Sequence, residues 1–196
     1  MISAIILAAG ESKRMGQPKM LLPWGEDTIL GQVITTYKAA GVEDILVVTG
    51  GAHEQVDDIV RQHGARSIFN TQFSSGEMLS SLQRGLGLLS EEESGVKAAL
   101  IGLGDQPQVQ EGSIRQICDA FHKHSARLVV PSFQMRRGHP WLVEHSLWAE
   151  LLELKTSQSP RDFLNRHAAE ILYVELDTPN ILADLDTPQD YQNYRP

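Results

Sequence analysis

A single cysteine, Cys118, stands among the 196 residues. No disulfide can close within the chain, and a zinc site built on cysteines is excluded. That cysteine falls in Ile114-x-x-Ile117-Cys118-x-x-Phe121, a helical spacing that reads as a packing face rather than a nucleophile. No apolar run approaches the ~20 residues needed to span a bilayer. The apolar opening is too short for a secretory signal and lacks its basic flank, so a cytoplasmic protein is expected. Positive charge is also in short supply. A net charge of −8 disfavours general binding to nucleic acid or anionic membrane. Two common phosphate motifs are missing. Gly10 and Gly16 have the wrong spacing for a Walker A loop, and Met20 follows Lys19 where Ser or Thr is required. The dinucleotide fingerprint G-x-G-x-x-G does not occur, and no Ser-His-Asp or Cys-His set is recognisable.

What the chain does contain is concentrated near its start. The β-branched run Ala4-Ile5-Ile6-Leu7 suits a buried parallel strand. Ala8, Ala9 and Gly10 follow, small enough for a ligand to approach the backbone. Arg14 and Lys19 project from the same loop, which Gly16 and Pro18 bend. A tight turn leaving a strand presents unpaired N–H groups, and two fixed cations beside such a nest suit a polyphosphate. The first 25 residues hold three cations against Glu11, a local +2 in a chain whose remainder carries −10. A cationic pocket in an acidic protein points to a small anionic ligand.

Strand and helix patterns then alternate. Helical spacing at Ile29, Val33, Ile34 and Tyr37 closes at Gly41, and Ile45 to Thr49 is a second strand. A helix through Val56, Ile59 and Val60 stops at Gly64, before a short strand at Ser67-Ile68-Phe69. Leu79, Leu82, Leu86 and Leu89 mark another helix, Glu91-Glu92-Glu93 a solvated turn, and Ala98 to Leu103 a fourth strand. Beyond Leu128-Val129-Val130 the pattern loosens, with Gln134 to Pro140 irregular, a helix at Leu147, Leu151 and Leu154, and a strand at Ile171 to Glu175. This order predicts one α/β domain, a mostly parallel sheet with helices on both faces. Its 41% hydrophobic content and length fit a single core. Ligands in such sheets bind beyond the carboxyl ends of the strands, where the opening loop would lie.

Four further stretches could carry chemistry. In Gly102-Leu103-Gly104-Asp105-Gln106-Pro107, one carboxylate leaves a strand end; it suits either a Mg²⁺ ligand or a turn residue capping a helix from about Gly112. Ser80 and Ser81, in Ser75-Gly76-Glu77-Met78-Leu79-Ser80-Ser81-Leu82, can cap a helix or hydrogen-bond a base edge. Asp184-Leu185-Asp186-Thr187-Pro188 alternates two acids on one side of an extended segment, and equally reads as a helix start capped by Thr187. Arg136-Arg137-Gly138-His139-Pro140 is either an exposed basic loop or a seat for a terminal phosphate.

The whole set resembles the nucleotidyltransferase superfamily, and within it the molybdopterin cytidylyltransferases. The most specific match is L-A-A-G-x-S-x-R-M-G-x-x-K, continued by Leu21-Leu22-Pro23; the Asp105 motif, the Ser81 helix, the Asp184 to Pro188 segment and Gly138-His139-Pro140 extend it along the chain. The resemblance implies a Rossmann-like α/β/α sandwich of the nucleotide-diphospho-sugar transferase (GT-A-like) type. Residues 1–196 would form one domain, about 1–125 binding nucleotide and about 126–196 the acceptor. It implies Leu7, Ala8, Ala9, Gly10, Gly76, Ser80 and Ser81 as nucleotide contacts, and Arg14, Lys19 and Asp105 as catalytic groups. Mg²⁺ would rest on Asp105 with Asp186 or Asp184, and Arg136, Arg137, Gly138 and His139 would receive the acceptor. The implied reaction moves CMP from CTP to the terminal phosphate of molybdopterin and releases pyrophosphate. Ala9 stands where guanylyltransferases of this branch carry glycine, which favours CTP over GTP. Guanylyl transfer, a different phosphorylated acceptor, and a non-catalytic role delivering cofactor to a molybdoenzyme are the alternatives.

Overall fold

The computed structural model describes residues 1–75, 77–92 and 95–196. Its centre is β1 (Ile2–Ala8), whose last six residues are all buried. A strand covered on both faces must be apolar throughout, which is why it shows no alternation. It pairs in parallel with β4 (Asp44–Thr49) on one side and β6 (Ala98–Leu103) on the other, Ile5 lying opposite both Leu46 and Ile101. Between β1 and β4 come a small hairpin, β2 (Pro23–Trp24) with β3 (Asp27–Thr28), and then α1 (Ile29–Ala39). After β4 come α2 (His53–Gln62), β5 (Arg66–Phe69) and α3 (Glu77–Glu91). Gly41 and Gly64, with φ of 91° and 59°, end α1 and α2 as left-handed residues, the conformation glycine adopts without a Cβ penalty.

The second half contains α4 (Glu111–His124), β7 (Leu128–Phe133), β8 (Arg136–Arg137), β9 (Trp141–Glu144), α5 (Trp148–Leu152), α6 (Pro160–Arg166), β10 (Ile171–Glu175) and α7 (Pro188–Tyr194). The sheet runs β10-β7-β9-β6-β1-β4-β5, with β8 added to β7. It is parallel except for β8 and β9, so the expected mostly parallel α/β sheet is what forms. Four short strands were not legible beforehand: β2 and β3 of the hairpin, β8 inside the stretch expected to be irregular, and β9, which follows that stretch and inserts antiparallel between β6 and β7. The α5 segment is also shorter than the leucine spacing suggests, with Leu154 beyond its end. Glu91 closes α3 rather than forming a turn, Glu92 pairs with Arg66, and Glu93 lies outside the described residues.

Two apolar layers cover the sheet. Leu82, Leu86 and Leu89 of α3, Trp148 of α5 and Phe163 of α6 pack on one face. Ile34 and Tyr37 of α1, Val60 of α2 and Ile117 of α4 pack on the other, with Cys118 against them as a half-buried packing residue. Each fully buried side chain of this kind contributes roughly 1.5–3 kcal/mol. A third, smaller cluster joins Met15, Leu22, Trp24 and Ile29 to Leu185 and Tyr191, 170 residues away in the chain at its far end. The Tyr191 hydroxyl donates to the Pro23 carbonyl at 2.6 Å. This cluster fastens the C-terminal segment onto the loop that leaves β1.

The strand order leaves β1 toward β4 on one side and resumes at β6 on the other. The loops after β1 and β6 therefore flank the topological switch point, where a crevice opens at the carboxyl edge. Along the described residues, no helix is long and apolar enough to cross a membrane.

Candidate functional site

The loop after β1 folds back on Ser12, a non-glycine residue at φ 53°. The Ser12 carbonyl accepts from the amides of Met15 (3.0 Å) and Gly16 (3.1 Å), and its hydroxyl accepts from the Lys19 amide at 3.1 Å. Met15 is buried in the small third cluster, so the turn has an apolar anchor. Leu7, Ala8 and Ala9 are buried at the strand's end, while Gly10 is exposed with open space around it. The Ala8 methyl lies under Gly104, and the Leu7 carbonyl accepts from the Gly104 amide at 3.0 Å. The loops after β1 and β6 are thus bound directly to each other.

Lys19 is only 9% exposed, an unusual position for a lysine. Its Nζ donates to Asp105 Oδ2 and, at 3.1 Å, to Asp186 Oδ1. Burial alone would lower the Lys19 pKa, but the charge of Asp105, with help from Asp186, outweighs it and holds the ammonium above its usual value. Arg14 Nη2 reaches the other oxygen of Asp186 at 2.8 Å from an exposed position. Four residues singled out in the sequence, Arg14, Lys19, Asp105 and Asp186, are therefore one ionic group at the switch point.

Asp186 arrives there because Leu185 is inserted in the apolar cluster and its amide donates to the Asp105 carbonyl at 3.2 Å. Asp184 lies on the other side of Leu185. It accepts from the buried amide of Gln106 at 2.7 Å, and burial followed by the charge of Asp105 raises its pKa. The two acids thus differ in placement: Asp186 joins the cations and Asp184 does not. The helix-start reading of the same segment also holds, since Thr187 and Asp190 form a reciprocal cap on α7 with Pro188 at its first position. Asp105 does not cap α4, which starts at Glu111 after Gln110.

Ser80 and Ser81 are the fourth and fifth residues of α3, past any capping position. Both hydroxyls accept from the side-chain amide of Asn70, at 2.9 and 3.1 Å. Asn70 follows β5 at the carboxyl edge, and its backbone amide donates to Thr49 at 2.9 Å. Neighbouring Gly50 faces the Ala9 carbonyl so closely that a Cβ would collide with it. Gly76 lies outside the described residues. Asn70 and Gln106 are site residues that motif reading overlooked; both stand just beyond a strand's carboxyl end, which is the signal that could have marked them.

The acceptor candidates lie along the same edge, with their side chains differently engaged. Arg137 donates to the Tyr173 hydroxyl (2.9 Å) and to Asn165 (2.8 Å), with its guanidinium 5.6 Å from the Tyr173 ring centre. Arg136 is exposed. The Gly138 amide donates to Pro131 at 2.9 Å and the His139 amide to Ile181 at 3.0 Å, ahead of a cis peptide to Pro140. Burial pushes the His139 imidazole down to about 4, so it is neutral near pH 7. His122 and His124 lie exposed on α4.

A doubly covered, mostly parallel sheet with a glycine-containing loop and an acid at the switch point defines an α/β protein built to handle a nucleotide. The chain belongs to the MobA-like NTP transferase domain family, whose sequence model matches residues 4–171. It is a nucleotidyltransferase. It is similar to the molybdenum cofactor cytidylyltransferase of Escherichia coli, 27% identical over 190 residues that cover 97% of this chain and 93% of that one. Among solved structures it is similar to Rv0371c of Mycobacterium tuberculosis, 26% identical with a TM-score of 0.82 over 98% of this chain and 96% of that one. A manganese complex of Rv0371c superposes with a TM-score of 0.74 at 25% identity, covering 98% and 96%. A nucleotidyl transferase of Methanothermobacter shares the fold, at 24% identity and a TM-score of 0.82 over 100% and 96%.

Proposed function

We propose that this chain transfers CMP from CTP to the terminal phosphate of molybdopterin and releases pyrophosphate. The observation that carries the reading is the meeting of Lys19 with Asp105 and Asp186 at the switch point, beside the loop after β1. The similarity to a molybdenum cofactor cytidylyltransferase along nearly the full chain supports the choice of nucleotide and acceptor.

The donor set fits a hard divalent cation, here Mg²⁺. Asp105 and Asp186 aim carboxylate oxygens at one point, occupied by the Lys19 ammonium, so a positive charge is already favoured there. No group of three His, Cys, Asp or Glu among the described residues could hold a metal unaided. Mg²⁺ commonly takes one or two carboxylates and completes its shell with phosphate oxygens and water. When bound, Mg²⁺ supplies Lewis-acid stabilisation of charge on the phosphates.

The reaction forms a bond between a phosphate monoester oxygen and the α-phosphorus of CTP and breaks the α–β bridge. The attacking oxygen is already anionic at neutral pH, so the site needs no general base. Its task is to bring two polyanions together in line. Lys19 and Arg14 would neutralise charge on the α-phosphate and on departing pyrophosphate. The amides from Ala8 to Gly10 would orient the triphosphate, and Ser81 would contact the base. Residues Arg136 to His139 would receive the acceptor, with the neutral His139 a hydrogen-bonding group rather than a cation.

Pyrophosphate release, measured with each of the four triphosphates in the presence and absence of molybdopterin, tests the reading. Release is expected with CTP and Mg²⁺ only when molybdopterin is present. Tight cofactor binding without release from any triphosphate would instead mean a carrier.

A further inference from the structure

The side-chain amide of Asn70 is buried, 3% exposed, and its orientation is fixed by what surrounds it. The Gln72 backbone N–H, which can only donate, meets Asn70 Oδ1 at 3.0 Å. The NH₂ end must therefore face the two serines, to which it lies at 2.9 and 3.1 Å. With two protons on that nitrogen, each serine oxygen receives one. Ser81 is itself 4% exposed, and its hydroxyl proton meets no acceptor among the described residues. Its oxygen is already hydrogen-bonded by Asn70, though it keeps a second lone pair, so the proton is the group whose hydrogen bond is still to be made, and a ligand acceptor would make it.

We propose that Asn70 is a specificity-determining positioning residue: by donating to Ser81, it fixes that hydroxyl as a donor toward the nucleotide and so selects a base with an acceptor edge. Cytosine carries adjacent acceptors, O2 and N3, whereas guanine presents N–H donors at the corresponding edge. A donor hydroxyl pairs with the first and is opposed by the second. A polar group left unpaired in a buried site is the strongest source of discrimination between similar ligands. This inference rests on the cytidylyl reading and on Ser81 facing the base; it adds the group that sets the hydroxyl's direction.

The test is Asn70→Asp, which keeps the shape and the acceptor for Gln72 but turns the two donor positions into a carboxylate oxygen. Ser81 must then donate inward and offer lone pairs to the base. Equilibrium binding of CTP and of GTP, each with Mg²⁺, gives the CTP-over-GTP affinity ratio. We expect the ratio to fall at least tenfold, with KM for the acceptor unmoved. Ser81→Ala should lower the ratio similarly, and the double variant should lower it little further, since both act through one hydroxyl. The Ser81→Ala arm stands by itself if Asn70→Asp does not fold. A wild-type preference for CTP that survives in Ser81→Ala, or in a folded Asn70→Asp, overturns the inference alone. A wild-type protein that prefers GTP overturns the cytidylyl reading and this inference with it.

Discussion

Lys19 and Asp186 meet at 3.1 Å although 167 residues separate them in the chain. The contact closes the domain's last segment onto its first loop, and it forms at a buried ammonium that Asp105 also grips. Under the proposed reaction, this lysine would exchange a carboxylate for a phosphate oxygen of the incoming nucleotide.

Replacing Lys19 with alanine should therefore reduce kcat more than it weakens CTP binding. Loss of one preorganised electrostatic contact in a site of this kind typically costs about 10²–10³ in rate. Steady-state kinetics with varied CTP read the two effects apart. A change confined to KM would show that Lys19 holds only the ground state.

Asp105→Asn keeps the side chain's shape and removes its charge. Metal-dependent pyrophosphate release should fall by about 10²–10³, with the metal concentration for half-maximal rate rising. Near-wild-type turnover at the same Mg²⁺ would reject Asp105 as a ligand. Because the Asp105 carboxylate also holds the buried Lys19 ammonium, the urea midpoint should fall as well, and circular dichroism at the assay temperature checks that the variant is folded where turnover is read.

The parallel core and both switch-point loops were legible because each depends on local pattern. An unbroken apolar run such as Ala4 to Leu7 allows few structures except a doubly covered strand, and Gly41 and Gly64 mark the ends of helices. Lys19, Asp105 and Asp186 were legible as chemical types, but not as partners, since periodicity carries no information on pairing across 167 residues. The β9 strand escaped for the same reason. Its four residues gain their place from β6 and β7, neither adjacent in sequence, and Trp141-Leu142-Val143-Glu144 offers too little alternation to compete with the irregular stretch before it. Asn70 looked like an ordinary loop residue until two serines on the next helix turned toward it. The different partners of Asp184 and Asp186 follow from Leu185 pointing inward, which alternation along the segment does not reveal.

His139 makes acid stability a test of the acceptor loop. Burial lowers its pKa from 6.5 to about 4, so between those values the unfolded chain takes up a proton that the folded chain refuses. Stability is therefore unaffected above pH 6.5 and falls as the pH drops through that window, by up to about 3 kcal/mol from this group. His139→Gln removes the titration. The difference in urea unfolding free energy between pH 7 and pH 5 should be smaller in the variant than in the wild type. Equal differences would mean that His139 is hydrated in solution.

Gly138 tests whether the acceptor loop and the acidic segment act as one unit. A Cβ added there would lie 2.5 Å from the Ile181 carbonyl, a backbone atom that cannot swing aside as a flexible side chain can. That carbonyl is also the acceptor for the His139 amide, and the chain continues from Ile181 through Asp184 to Asp186. Gly138→Ala must push the two strands of backbone apart, at a cost of about 1–3 kcal/mol in stability. The displacement should travel along four residues to Asp186 and loosen its hold on Arg14 and Lys19, so kcat should fall even at temperatures where the variant is fully folded. Leu185, buried in the cluster with Met15 and Trp24, opposes that movement and sets its limit. Thermal melting paired with kcat at 15 °C separates the two effects. A lowered Tm with unchanged kcat would show that the Leu185 anchor isolates the carboxylates from the loop.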